Sequence, residues 1–266
     1  MKTPNSRSLR IAILDSDPYS RSWTASLLMR DWRTRVAAEL ATYAQLKTFL
    51  TQSLMPVDFI IVDMDSGSED YAFPAVLSLI QETHKTTRMI ATSQKVDEGL
   101  LRLFGSSGFA AYLLKSEAQI SLAWAARECS KGFTLITPGV EKIAAHLGLS
   151  LPGTCLVLEE KSAASYLSGA EQLKARLAFV MSMERDTLAD ELQLELTSVF
   201  TLISRLYENV GVNAINEDDN WFWLMSDEDP ILKEKLQAFL ENKTACPSKE
   251  TVAFHLVTKP FFRKPD

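Results

Sequence analysis

The chain has 266 residues, 46% of them hydrophobic and 23% charged, with ten Gly and ten Pro. That composition builds a core and excludes a disordered, collagen-like or mucin-like chain, and the length suggests two domains. A formal net charge of −6 argues against a strongly basic nucleic-acid coat protein.

Three Cys (Cys129, Cys155, Cys246) and three His (His84, His146, His255) show neither a disulfide framework nor metal-ligand spacing. No run of eighteen apolar residues occurs, and the polar start MKTPNSRSLR has no apolar stretch behind it. The expectation is a cytoplasmic protein without a membrane partner. The charge is uneven: residues 1–150 hold 16 Lys+Arg against 15 Asp+Glu, whereas residues 151–266 hold 12 against 19.

Residues 10–14 (RIAIL) form an apolar run that reads as a buried strand, closing on Asp15-Ser16-Asp17-Pro18. Helical spacing follows over 22–32, a weaker strand over 36–40 and an amphipathic helix over 44–54. A third strand at 57–62 (VDFIIV) closes on Asp63-Met64-Asp65, with a helix over 73–80 behind it. The fourth strand is 88–92, followed by a helix over 96–104. The fifth is 110–114, stopped by Lys115 and followed by a helix over about 117–129. Strands this continuously apolar, alternating with helices, predict a five-stranded parallel sheet covered on both faces.

Residues 1–131 are thus the first expected domain, and 132–153 a linker containing a short helix at 140–147. Residues 154–213 are expected to form an all-helical domain, and 214–266 an acidic C-terminal extension. Within that extension, Asp229 and Pro230 predict the start of a helix to about Leu240, and 251–257 reads as a strand.

Ligands of open parallel sheets bind outside the carboxyl ends of the strands. Those ends carry Asp15, Asp63, Ser93 and Lys115. A carboxylate can accept a phosphoryl group when a divalent cation neutralises the converging charge and a Lys pairs with another phosphoryl oxygen.

With this constellation the chain resembles, over roughly residues 9–130, the receiver domain of bacterial response regulators, a flavodoxin-like (βα)5 fold. The intervals Asp63-to-Ser93 and Ser93-to-Lys115, 30 and 22 residues, match that family, and Tyr112 stands where it often carries an aromatic switch residue. The resemblance implies Asp63 as phosphoacceptor and Ser93, Tyr112 and Lys115 as switch residues. It further implies a Mg2+ ion held at Asp15, with Asp17 and Asp65 as further candidate ligands. The family's acidic pair is Asp15-Ser16 here.

Residues 187–192 and 196–212 form two apolar-striped helices around a break at 193–195, a helix-turn-helix pattern. Together with Leu167-Ser168, Glu171, Leu188-Ala189, Ser198-Val199 and Val210-Gly211-Val212, this is similar to the output domain of the LuxR/NarL class. On the second helix, Phe200, Leu202, Arg205 and Glu208 stand where that class carries Lys, His, Asn and Arg. Ser198, Thr201 and Arg205 are the candidate DNA contacts, within a segment (167–212) holding four Lys+Arg and seven Asp+Glu.

Trp221-Phe222-Trp223 reads as a packing nucleus, and the carboxylates at 217–219 and 227–229 as solvated acidic surface. No nucleophile–base or phosphate-cradling glycine motif is visible, so no enzyme is expected. The resemblance implies a two-component-type transcription regulator. Its partners would be a sensor kinase or phosphodonor, promoter DNA, and a second copy or another protein. The rival is a pseudo-receiver adaptor that uses both domains for protein–protein contacts.

Overall fold

The apolar runs at 10–14, 57–62, 88–92 and 110–114 become the centre of one parallel sheet. The structure, a computed structural model, describes residues 7–53, 55–65, 73–83, 86–104, 109–118, 120–162, 167–212, 229–241 and 247–265. In chain order, strands and helices alternate as β1 (Leu9–Leu14), α1 (Pro18–Arg30), β2 (Thr34–Leu40), α2 (Tyr43–Gln52), β3 (Phe59–Asp63) and α3 (Phe73–Thr83). They continue with β4 (Arg88–Ser93), α4 (Glu98–Leu103), β5 (Phe109–Leu114), α5 (Lys115–Ala118) and α6 (Leu122–Ser130). The single helix expected over 117–129 is therefore two, separated where Ser121 N–H bonds Ala118 C=O at 2.7 Å.

The expected five strands are eight. After α6 come β6 (Thr134–Ile136), α7 (Pro138–His146) and β7 (Cys155–Ser162), and β8 (Pro260–Arg263) arrives from the chain's end. The order across the sheet is β2-β1-β3-β4-β5-β6-β7-β8. The pairs from β2 through to β7 are parallel. Residues 132–153, expected as a linker, thus extend the sheet, and 155–162 is a strand in it rather than the start of a helical domain. Arg263 holds the returning end in place. Its guanidinium donates to Glu159 at 2.8 Å and, through two nitrogens, to Glu141 at 2.9 and 2.6 Å.

Successive strand residues face opposite sides. Leu14, Ile60, Val62, Met89, Ala91 and Tyr112 pack with Leu46, Val76, Leu100 and Val140, so α2, α3, α4 and α7 cover one face. Ile11, Ile13, Ile61, Ile90 and Leu113 pack with Leu28, Ala125 and Cys129, so α1 and α6 cover the other. On that second face Arg33 is fully buried. It bonds Asp31 through Nε at 2.9 Å and Nη2 at 2.8 Å, and stacks 3.7 Å from the Trp124 ring centroid.

The chain divides into two compact units, one of residues 7–160 and 260–266, the other of 1–6 and 161–259. In the second, α8 (Gly169–Ala175) runs into a π-helical turn at Arg176–Val180, followed by α9 (Arg185–Leu192) and α10 (Leu196–Val210). Ser168 and Glu171 form a reciprocal capping box at the start of α8. Gln193 (φ 53°) turns the chain between α9 and α10, and Gly211 (φ 88°) ends α10 in the left-handed conformation.

Two later helices, α11 (Pro230–Leu240) and α12 (Lys249–Thr258), belong to this unit. Asp229 Oδ1 caps α11, accepting from Ile231 N–H and Leu232 N–H at 3.0 and 3.2 Å. The strand expected at 251–257 is α12, whose residues 252–258 are all buried, so no polar face reveals the helical period. The aromatic cluster at 221–223 and the carboxylates at 217–219, 227 and 228 lie outside the described residues.

Candidate functional site

Strand parity decides which of the expected site residues meet. Asp15, Asp63 and Lys115 follow β1, β3 and β5 on the face of Ile13, Ile61 and Leu113, and all three line one cavity. Asp15 and Asp63 are buried, at 3% and 4% exposure. The Lys115 ammonium lies 2.7 Å from Asp63 Oδ1 and 3.0 Å from Asp65 Oδ2.

Asp65 bridges the carboxyl ends of the central strands β3 and β4. Its carboxylate accepts the Gln94 N–H at 2.8 Å on each oxygen, and its own N–H donates to Asp63 Oδ1 at 3.1 Å. A carboxylate thus holds both the site's lysine and the first amide beyond β4. Nothing in the residue pattern foretold this arrangement, because it depends on how the Asp65 side chain turns.

Ser93 and Tyr112 lie on the opposite parity. The Ser93 hydroxyl donates to Lys95 C=O at 2.7 Å and lies 3.4 Å from the Tyr112 hydroxyl. Tyr112 is fully buried, and its oxygen accepts the Asp97 N–H at 2.7 Å. Asp97 in turn caps α4, accepting from Leu100 N–H at 2.7 Å. Ser93 and Tyr112 therefore address the start of α4, while Lys115 addresses the acids.

Asp17 does not join Asp15 as an acidic pair. It caps α1, its Oδ1 accepting from Tyr19 N–H at 2.8 Å and Ser20 N–H at 3.4 Å, and its own N–H donates to Asp15 Oδ1 at 2.9 Å. Among the described residues no group of three His, Cys, Asp or Glu side chains could hold a metal ion. Two carboxylates remain, Asp15 and Asp63. That pair fits a magnesium ion arriving with phosphate oxygens and keeping its waters, not a dedicated protein cage.

The electrostatics follow from burial and proximity. Burial pushes the Asp15 carboxyl above its ordinary pKa; the Ser20 hydroxyl opposes the rise and the Asp63 charge adds to it. Burial works against the Lys115 ammonium, but its bonds to Asp63 and then Asp65 outweigh that and raise its pKa. Burial also raises Tyr112, which stays a neutral phenol.

In the helical unit, α9 and α10 form a helix-turn-helix. Val199, Leu206 and Val210 are buried, while Ser198, Thr201 and Arg205 share the exposed side of α10. Phe200 is 47% exposed, with the Arg185 guanidinium 4.4 Å above its ring. Leu202 is half-buried. Among the described residues no helix is long and apolar enough to cross a membrane.

No family model and no curated protein matches the chain. Among solved structures, it is similar to the RcsB response regulator of Salmonella typhimurium at 16% identity and a TM-score of 0.47, over 83% of this chain and 99% of that one. An RcsB–DNA complex aligns at 14% identity and a TM-score of 0.48, over 77% of this chain and 93% of that one. A LuxR-family two-component response regulator from Aurantimonas sp. SI85-9A1 aligns at 18% identity and a TM-score of 0.47, over 53% of this chain and 98% of that one. At such identities and scores no residue role passes from these proteins to this chain, and the site is read from its own geometry.

Proposed function

We propose that the chain is an atypical response regulator, in which the acidic site of the sheet unit is the input and the helix-turn-helix of the helical unit is the output. The observation that carries this reading is the buried Asp63 carboxylate beside Asp15, ion-paired at 2.7 Å to Lys115 at the ends of parallel strands. Asp63 would accept a phosphoryl group from a sensor kinase or small phosphodonor, an oxygen of its carboxylate displacing the donor's leaving group at phosphorus. Asp15 and Asp63 would hold Mg2+, which supplies charge neutralisation for that transfer.

The modification adds nearly two negative charges beside Lys115. Lys115 would then follow the new charge, and the Ser93–Tyr112–Asp97 bonds would carry the change to α4. A homodimer or partner protein would receive it on that face. Promoter DNA would be met by Ser198, Thr201 and Arg205 on α10.

Incubation with acetyl phosphate and Mg2+, followed by intact-mass measurement, tests the input. A phosphoryl mass on the wild type that Asp63→Asn lacks is expected; its absence refutes Asp63 as the acceptor. DNA titrations at several salt concentrations test the output, with binding that weakens in salt and in Arg205→Ala as the expected outcome.

A second reading is favoured by one specific observation, the Asp65 carboxylate already seated on Lys115 and Gln94. On that reading the site signals without phosphorylation and both units serve as protein-binding surfaces. The helical unit suits it: Arg205 is the only cation on α10, and Phe200 offers an apolar contact. DNA titrations without salt-sensitive binding, with no phosphoryl mass, are the outcome that reading expects.

A further inference from the structure

Below the ion pairs, the sheet face of Ile13 and Ile61 does not close fully onto α1 and α6. A cavity of about 350 Å³ opens there, beside the break between α5 and α6. Its size falls in the range of small-molecule sites, which combine mostly apolar walls with a few convergent polar groups. Here the walls are Ile13, Ile61, Trp23, Ile120 and Leu122, and the polar end is Asp15, Asp63 and Lys115. Trp23 keeps 40% of its surface exposed, so this wall remains reachable from solvent.

The chemistry of the polar end selects the class of occupant. Two carboxylates, Asp63 and Asp65, pair with one ammonium, Lys115, and a third, Asp15, lines the same cavity as Asp63 and Lys115. The two cavity-lining carboxylates, Asp15 and Asp63, repel one another. Lys115 already divides its charge between Asp63 and Asp65. An anion entering this end adds to the repulsion, whereas a second cation relieves it. A bare metal ion would satisfy the acids and leave the apolar walls without a partner. A cation carrying an apolar body uses both ends.

We propose that this cavity binds a small amphipathic amine, its ammonium at Asp15 and Asp63 and its apolar body against Trp23, Ile61 and Leu122. The inference rests on the reading of this acidic site as the input site, and adds a ligand to it. An ammonium on Asp63 shifts the Lys115 share toward Asp65, so the ligand acts on the same bonds that a phosphoryl group would.

Calorimetric titration of the full chain tests this, with phenethylamine, ethylamine, phenylacetate and Mg2+ as the probes. The expected result is saturable one-to-one binding of phenethylamine, about tenfold tighter than ethylamine or phenylacetate. Asp15→Asn and Trp23→Ala are each expected to weaken it severalfold, and Mg2+ to compete. Trp23→Phe keeps an aromatic wall and is expected to retain binding, which separates loss of the wall from loss of the fold.

Phenethylamine that fails to saturate, or binds no better than phenylacetate, overturns the proposal. So does binding that survives both Asp15→Asn and Trp23→Ala, since the ligand then sits elsewhere. Binding of Mg2+ without the amine leaves a metal site only and also overturns it. The acetyl phosphate assay fails independently: amine binding without phosphoryl mass removes phosphorylation and leaves the ligand, and the reverse outcome removes the ligand alone.

Discussion

Replacing Asp65 with Ala should make Asp63 a better phosphoryl acceptor. The carboxylate pairs with Lys115 at 3.0 Å and takes the Gln94 N–H at 2.8 Å. The side chains of Lys115 and Asp65 keep 29% and 27% of their exposure, so the pair is neither free in water nor fully desolvated. Exposed ion pairs contribute about 0–1 kcal/mol and hydrogen bonds to charged groups about 1.5–3 kcal/mol, so roughly 1–2 kcal/mol of the donors' attraction is committed to Asp65. Released to a phosphoryl group, that attraction corresponds to an acceleration of about 5–30-fold.

The assay is the initial rate of phosphoryl mass gain from acetyl phosphate and Mg2+. It compares wild type, Asp65→Ala, and Asp65→Ala combined with Asp63→Asn as the blank. Thermal melting checks that the fold survives; a loss of about 1 kcal/mol or less is expected, since water can replace the bonds at a half-exposed site. An Asp65→Ala protein that melts normally and labels no faster than wild type refutes the competition. One that labels more slowly shows that Asp65 assists the acceptor instead.

Three further outcomes follow from the buried charges and thiols. Asp31→Ala removes the carboxylate paired with the fully buried Arg33 and should cost about 3–5 kcal/mol in urea unfolding, whereas a loss under about 1 kcal/mol would contradict a dry pair. Because folding raises the pKa of Asp15 above its ordinary 3.8, the folded state binds that proton more tightly. The stabilising contribution is present below pH 3.8 and lost as pH rises through the folded value. Asp15→Asn should therefore raise the urea midpoint at pH 7, with the gain vanishing near pH 3.5, and an equal gain at both pH values would be the wrong sign of coupling. Burial pushes the thiols of Cys129 and Cys155 up to about 12. Neither should be alkylated by iodoacetamide at pH 8 until the protein is unfolded, as peptide mass mapping would show.

How much of this was legible in the sequence depended on the length and burial of each element. The runs RIAIL, VDFIIV and AAYLL each belong to a strand buried on both faces, so apolar residues repeat without interruption. Their last polar residues then mark Asp15, Asp63 and Lys115. Strand β6 has only three residues, too few to show a period, and β7 ends in Glu159-Glu160-Lys161-Ser162, which resembles a loop in composition. Strand β8 pairs across about a hundred residues of sequence with β7, and no local pattern announces so distant a partner.

Helix α12 misled for the opposite reason. Its run TVAFHLV is rich in β-branched and aromatic residues and buried throughout, so tertiary packing overrides propensity. The available signal was its cap: Ser248 Oγ accepts the Thr251 N–H at 3.2 Å, and Ser before Lys249-Glu250 is a helix-start pattern.

The parity of the strands also explains why Asp65 is the residue on which the site turns. Asp15, Asp63 and Lys115 lie on the α1–α6 side, whereas Ser93 and Tyr112 lie on the α4 side, with the sheet between them. A change at Asp63 has a bonded route to Tyr112 over the strand ends. Lys115 divides itself between Asp63 and Asp65, Asp65 holds the Gln94 amide, and Gln94 precedes the Lys95 carbonyl that accepts from Ser93. Tyr112 then joins this turn to the Asp97 amide and so to the cap of α4. Apart from the covalent step from Gln94 to Lys95, each step is a direct hydrogen bond or ion pair, and the Asp65 carboxylate is the step common to both sides. On the proposed reading, a ligand or a phosphoryl group at Asp63 would act on α4 to the extent that it changes what Lys115 gives to Asp65.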